Sequence, residues 1–184
     1  MNFKEHYELK DQHAFLSASK YHWTNYPDDK LRDSYLKFLA TEKGTRLHAF
    51  ACESIKLKIK LPKTKSSFNL YVNDAIGYRM IPEQPLFYSV NSFGTADAIS
   101  FRDKLLRIHD LKTGVSPVSM RQLEVYTALF CLEYVKKPAD INIELRIYQL
   151  DEVIVHIPEV ESINEIIDKI ILFDKIIEQI KAEE

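Results

Sequence analysis

A chain of 184 residues has room for one domain with a substantial core and is short for two. Its apolar, aromatic and charged fractions (46%, 11% and 28%) exclude an intrinsically disordered protein. A formal net charge of -2 excludes a globally basic nucleic-acid binder, no apolar run approaches bilayer-spanning length, and the opening MNFKEHYELKDQH is too polar for a signal peptide, so a cytoplasmic protein without a membrane partner is expected.

Taken in chain order, Ser17-Ala18-Ser19 followed by Tyr21 and Trp23 suggests an ordered start. Asp28-Asp29 has the acidic character of a helix N-terminus, with Leu31, Tyr35, Phe38 and Leu39 at helical spacing behind it. Gly44 is expected to interrupt that helix, and a second one to run from about Thr45 to Leu57. The segment IKLKIKLPKTK (55–65) carries five lysines in eleven residues, which reads either as a solvated face and loop or as phosphate contact. A third helix is expected over about Phe68 to Tyr78.

Strand character begins near Leu86-Phe87-Tyr88. It continues through Phe93–Phe101 and, after the charged turn Arg102-Asp103-Lys104, through Leu105–Leu111 as a hairpin-like pair. Gly114, Ser116 and Pro117 break the chain before a helix from about Ser119 to Val135. Ile141–Tyr148 alternates as a strand, and Glu152–Ile157 adds another. From Val160 to Ala182, Ile163, Ile166, Ile167, Ile170, Ile176, Ile177 and Ile180 recur at helical intervals, reading as a core-packing helix, with a dimer contact as the other use of that stripe. No internal repeat or linker appears, so 1–184 is read as one mixed α/β domain, a central mixed sheet flanked by helices. Cys52 and Cys131 lack the paired spacing of a zinc or iron–sulfur site and read as small buried hydrophobes.

The residues that carry chemistry lie in FGTADAISF and LRIHDLKTG. On a strand, Asp110 and Lys112 project from one face while Leu111 points the other way into the core, leaving its carbonyl available. Asp97, thirteen residues earlier, sits on the neighbouring strand among Ala96, Ala98 and Ile99, and a half-buried carboxylate there needs a partner or a metal. Adjacent strands are about 5 Å apart, the scale on which two carboxylates share an ion. Carboxylates holding a divalent cation, with a lysine beside them to orient water and balance charge, are what phosphodiester hydrolysis requires.

The pattern Gly-Thr-Ala-Asp-Ala-Ile, about ten residues, then Ile-His-Asp-Leu-Lys-Thr-Gly resembles the PD-(D/E)XK nuclease superfamily. More closely, it is similar to the branch with RecB-type nuclease domains, Cas4-like proteins and phage exonucleases. Gly44-Thr-Arg-Leu-His48 matches that branch's upstream Gly-x-x-x-His, and Gln122 with Tyr126, four apart in MRQLEVYTALF, matches its downstream helix. Three of the chain's four glycines (Gly44, Gly94, Gly114) fall inside these motifs, where turn residues are expected. The motifs span about Gly44 to Tyr126, and the Leu16–Ser19 opening is also like the family's. Ala96 stands where the family's proline would precede Asp97, and the four cysteines of Cas4-like proteins are absent, so no iron–sulfur cluster is implied.

The resemblance implies a restriction-endonuclease-like core over about 44–150, with a packing helix over about 160–182. It implies Mg²⁺ or Mn²⁺, one or two ions, on His48, Asp97, Asp110 and the Leu111 carbonyl, with Lys112 positioning the attacking water. On the residues alone His48 reads as a core histidine, sharing a helical face with Ala51, Cys52 and Ile55; Gln122 and Tyr126 read equally as substrate-binding residues, hydrogen-bonding the DNA backbone or the Lys112 neighbourhood, and as part of an amphipathic helix covering the sheet. The implied activity is a DNA nuclease, an exonuclease by family analogy, in recombination, repair or phage genome processing. Lys58 and Lys60, with Lys56, Lys63 and Lys65, are the candidate DNA contacts. A homo-oligomer or a recombination partner protein is compatible with this reading, and the alternative is a nuclease-fold module that binds DNA or protein without cutting.

Overall fold

The acidic pair Asp28-Asp29 does open a helix, but Gly44 does not end it. In the computed structural model, which describes residues 4–9 and 13–183, α1 runs unbroken over Asp28–Lys56. One interior glycine costs about 1 kcal/mol against alanine, which a helix of 29 residues with strong formers around the glycine absorbs. Part of the polar opening (1–3 and 10–12) lies outside the described residues. The chain divides between Arg46 and Leu47 into two compact units.

In the first unit, a 3-10 segment over Ala18–Asn25 is kinked at Lys20, and Trp23 Nε1 donates to the Ser17 carbonyl at 2.9 Å. Phe15 packs edge-on against Tyr35, with Phe38 one helical turn further on, the ring centroids 5.0 to 5.9 Å apart.

The second unit is built on a five-stranded mixed sheet in the order β1-β2-β3-β4-β5. The strands are β1 (Ile81–Ser89), β2 (Ser92–Arg102), β3 (Leu105–Leu111), β4 (Asn142–Gln149) and β5 (Glu152–His156). All neighbours are antiparallel except β3 and β4, which are parallel and joined through α3 (Arg121–Glu133). Asp103 and Lys104, both with φ in the left-handed region, form the tight β2–β3 turn that matches strand twist. β1 starts five residues before Leu86. Pro82 and Pro85 conceal it in the sequence, and both are tolerated because β1 is an edge strand.

Alternation along the strands feeds two cores, one on each face. On one face Leu106, Ile108, Leu145 and Ile147 pack with Leu123 and Leu129 of α3, and Ile163 and Ile166 of α4 (Val160–Glu183) close over them. On the other, Ala98, Leu111 and Tyr148 pack with Val72 and Ala75 of α2 (Ser67–Gly77) and with Ala51 and Ile55 of α1. Burying such side chains contributes roughly 1.5–3 kcal/mol each. The reading of α4 as core along its whole length is corrected: Ile176, Ile177 and Ile180 are 40%, 37% and 53% exposed. Beyond Ile170 the positions that continue the inward stripe are Asp174, Glu178 and Lys181, which hydrogen-bond Ser89 and Asn91 at the β1–β2 turn. Cys52 and Cys131 are buried as free thiols. Among the described residues, no helix is long and apolar enough to cross a membrane.

Candidate metal centre

β2 and β3 pair from Arg102↔Leu105 to Ala98↔His109 and then part. The next residue on β2 is Asp97. Its Oδ2 accepts the Leu111 N–H at 2.9 Å, so a side chain takes a backbone donor that no strand partner takes. Continuing the register by one pair sets Asp97 across from Asp110, as the strand pairing anticipates. The site is therefore made by the fork in the hairpin.

Two groups of side chains meet there. The first consists of His48, Glu83 and Asp97, which could hold a metal ion: one ligand atom from each lies within 4.8 Å of the others. His48 reaches the fork from α1, one helical turn before Ala51, with Nδ1 3.4 Å from Asp97 Oδ2. The histidine is thus at the site while its neighbours Ala51 and Ile55 serve the core. Glu83 comes from β1, between the pairs Pro82↔Ala98 and Gln84↔Ala96, where a φ of 50° puts its backbone in the left-handed region. That conformation costs a non-glycine residue roughly 1–2 kcal/mol, and the surrounding pairing holds it.

The second group is Asp110, Lys112, Gln122 and Tyr126. Lys112 Nζ donates to Asp110 Oδ1 at 3.1 Å and to Gln122 Oε1 at 2.8 Å, and Gln122 Nε2 donates to the Tyr126 hydroxyl at 3.0 Å. Gly94 makes this possible, because a Cβ there would stand 2.9 Å from Tyr126 Cε1. The expectation that motif glycines serve as turns holds for Gly114, in a bend between β3 and α3, and is corrected for two others: Gly44 lies inside α1, and Gly94 lies inside β2 as space for a ring. Beside Lys112, Gly114, Ser116, Ser119, Gln122 and Gln149 line an open cavity of about 360 Å³. The Gln149 amide holds its rim through the carbonyls of Gly114 and Ser116.

Burial and like charge act together on the carboxylates. Desolvation, then the charge of Asp110, push the Asp97 pKa up to about 6, against the opposing Leu111 hydrogen bond and His48. Asp110 is 2% exposed. Its carboxylate straddles the Lys112 ammonium, Oδ1 accepting at 3.1 Å and Oδ2 ion-paired at 3.0 Å. A half-buried carboxylate that resists ionisation, with Glu83 and His48 within ligand reach of it, fits a site for a cation. The donor set, one imidazole among carboxylates, is one that can hold a metal ion. Behind Asp110, the buried His109 ring shares its Nδ1 with the Tyr148 hydroxyl at 3.2 Å, and burial together with Arg146 and Arg107 lowers its pKa to about 3.

Of the residues singled out in the sequence, His48, Asp97, Asp110, the Leu111 backbone, Lys112, Gln122 and Tyr126 all come to the fork. Asp110 lies outside the trio around Asp97, its carboxylate turned to Lys112. Lys58 and Lys60 are in neither group. Lys58 follows α1 and lines a separate cavity, and Lys60 lies exposed in the coil that Asn73 holds through Leu61. Glu83 was missed, since a carboxylate between Pro82 and Pro85 shows no strand periodicity. No protein-family model, curated protein or solved structure matches this chain.

Proposed function

We propose that the chain is a metal-dependent DNA nuclease of the PD-(D/E)XK type, with a restriction-endonuclease-like core. The observation that carries this reading is the fork at Asp97, where an acidic and imidazole trio stands beside a lysine held between Asp110 and Gln122. His48, Glu83 and Asp97 are the residues to hold Mg²⁺ or Mn²⁺, with Asp110 across the fork and the Leu111 carbonyl as the further ligands that the resemblance implies. When bound, the ion supplies an acidified water and takes up charge on the phosphate. Lys112, fixed in direction by two acceptors, donates to the attacking water or to the phosphate oxygen as charge develops. Tyr126 and Gln122 keep Lys112 from collapsing onto Asp110 alone. The family resemblance favours action from DNA ends.

The test is cleavage of end-labelled linear and closed circular DNA with Mg²⁺, Mn²⁺ or EDTA. Wild type should degrade linear DNA in a metal-dependent way, and Lys112→Ala should lower the rate by about 100-fold or more. Metal binding without cleavage of either substrate would replace the nuclease by a module of the same fold that binds without cutting.

A further inference from the structure

The cations of the second unit are not evenly satisfied. It has five arginines, and Arg107, Arg121 and Arg146 each pair with a carboxylate. Arg79 and Arg102 have no such partner among the described residues, and both line one cavity of about 400 Å³. Lys58, equally without a carboxylate, is its third cation, and Ile55, Ile76 and Met80 form the apolar remainder. We propose that this cavity binds a phosphate group, held by Lys58, Arg79 and Arg102.

The cavity lies where α1 and α2 end. Both helices close in the same way: Ile59 N–H donates to the Ser54 carbonyl and Met80 N–H to the Ala75 carbonyl, leaving Lys58 and Arg79 at the left-handed position after the helix, with φ of 56° and 54°. Helix C-termini favour cations, which accounts for Lys58 and Arg79 being tolerated. It does not account for Arg102, which comes off the end of β2 and adds a third positive charge where an anion is lacking. Three unpaired cations around a concave, partly apolar site repel one another, and a polyanionic oxygen cluster is the ligand that relieves this. Two of the three are guanidinium groups, whose planar donors match phosphate.

The placement fits a strand of nucleic acid passing the metal centre, and to that extent the assignment rests on the nuclease reading. Arg102 is five residues beyond Asp97 on β2, about 17 Å away. Ile55 is seven residues beyond His48 on α1, about 10 Å away. The cavity is therefore placed to meet a phosphate a few nucleotides from the scissile one.

The test compares wild type, Arg79→Gly with Arg102→Gln as a double variant, and Val135→Gly. Val135 occupies the same left-handed position after α3, is 89% exposed and is remote in chemistry from the cavity, so it controls for relief of backbone strain. Binding of a fluorescent single-stranded 20-nucleotide DNA is measured in EDTA across NaCl concentrations, and the thermal midpoint is measured with and without millimolar inorganic phosphate. The double variant should flatten the slope of log affinity against log salt by about 1.4, about 0.7 per cation lost, and lose the rise in midpoint given by phosphate. Val135→Gly should keep both. Phosphate protection that depends on Arg79 and Arg102, with DNA binding unaffected, retains the site and assigns it to free phosphate, separately from whether the chain cuts DNA. A folded double variant that keeps wild-type salt dependence and wild-type phosphate protection overturns the proposal.

Discussion

Replacing Asp97 by Asn removes a carboxylate that the fold keeps from ionising. Its pKa is about 6 when folded against 3.8 for an ordinary aspartate, which corresponds to at most about 3 kcal/mol. The side chain is 18% exposed, so solvent screens little of this. Because the folded pKa is raised, the native state holds a proton that the unfolded chain releases between about pH 4 and 6. The associated stability is intact below that window and lost as pH rises through it. Asparagine keeps an oxygen to accept the Leu111 N–H and has no charge to desolvate. Without metal, Asp97→Asn should therefore be more stable than wild type at pH 8, by at most about 6–12 °C in melting temperature, and nearly equal to it at pH 4. Thermal unfolding in EDTA at the two pH values measures this, and repeating it with Mn²⁺ adds the ligand side: wild type should gain stability with ion concentration and the variant should not. A variant less stable than wild type at pH 8 in EDTA, or one that Mn²⁺ protects as well as wild type, refutes the reasoning.

Glu83→Gln keeps the left-handed backbone and removes one ligand charge, so calorimetric titration should show Mn²⁺ affinity lowered by at least about tenfold with the fold unchanged. Gly94→Ala sets a methyl group against the Tyr126 ring; cleavage should fall several-fold while metal affinity holds, and equal cleavage rates would show that the Tyr126–Gln122–Lys112 chain does not position the lysine. His109 titrates in the opposite sense to Asp97: its folded pKa of about 3 lies below the ordinary 6.5, so its stability is intact above about pH 6.5 and lost as pH falls through about 3. His109→Leu should accordingly flatten the acid limb of the stability curve, and an unchanged limb between pH 6 and 3 would show that this ring is not the acid-labile group.

What the sequence disclosed follows from which interactions are local. β2, β3, their turn and α3 were legible because alternation and helical spacing directly reflect burial on one side. Lys112 and Asp110 could be placed on one face for the same reason. Glu83 could not be found, because its role depends on an edge strand whose prolines suppress the strand pattern and on a bent backbone that aims one side chain. Gly44 misled because the cost of one interior glycine is small beside the packing that sustains a long helix. The outer half of α4 misled because periodicity reports an apolar stripe without reporting what lies opposite it. Arg79 and Arg102 are far apart in sequence, and only the meeting of a helix end with a strand end makes them neighbours.

The fork also brings together side chains that a regular hairpin keeps on opposite faces of the sheet. Successive residues on β3 face opposite sides of the sheet: Leu111 joins the core beneath α1 and α2, while Lys112 reaches Gln122 on α3. A regular hairpin would separate His48, on the α1 side, from Lys112 on the other. By parting after Ala98 and His109, the strands open a gap in which Asp97 can bond the Leu111 amide, stand against His48 and still feel the charge of Asp110. The cost is two acidic side chains in poor contact with water, Asp110 paired with Lys112 and Asp97 protonated more readily than usual. A cation held by His48, Glu83 and Asp97 would remove the cost at Asp97, so the geometry that destabilises the ion-free protein would supply driving force for binding. Stability gained by neutralising Asp97 and metal affinity lost by it are two measures of one arrangement, and they must change together.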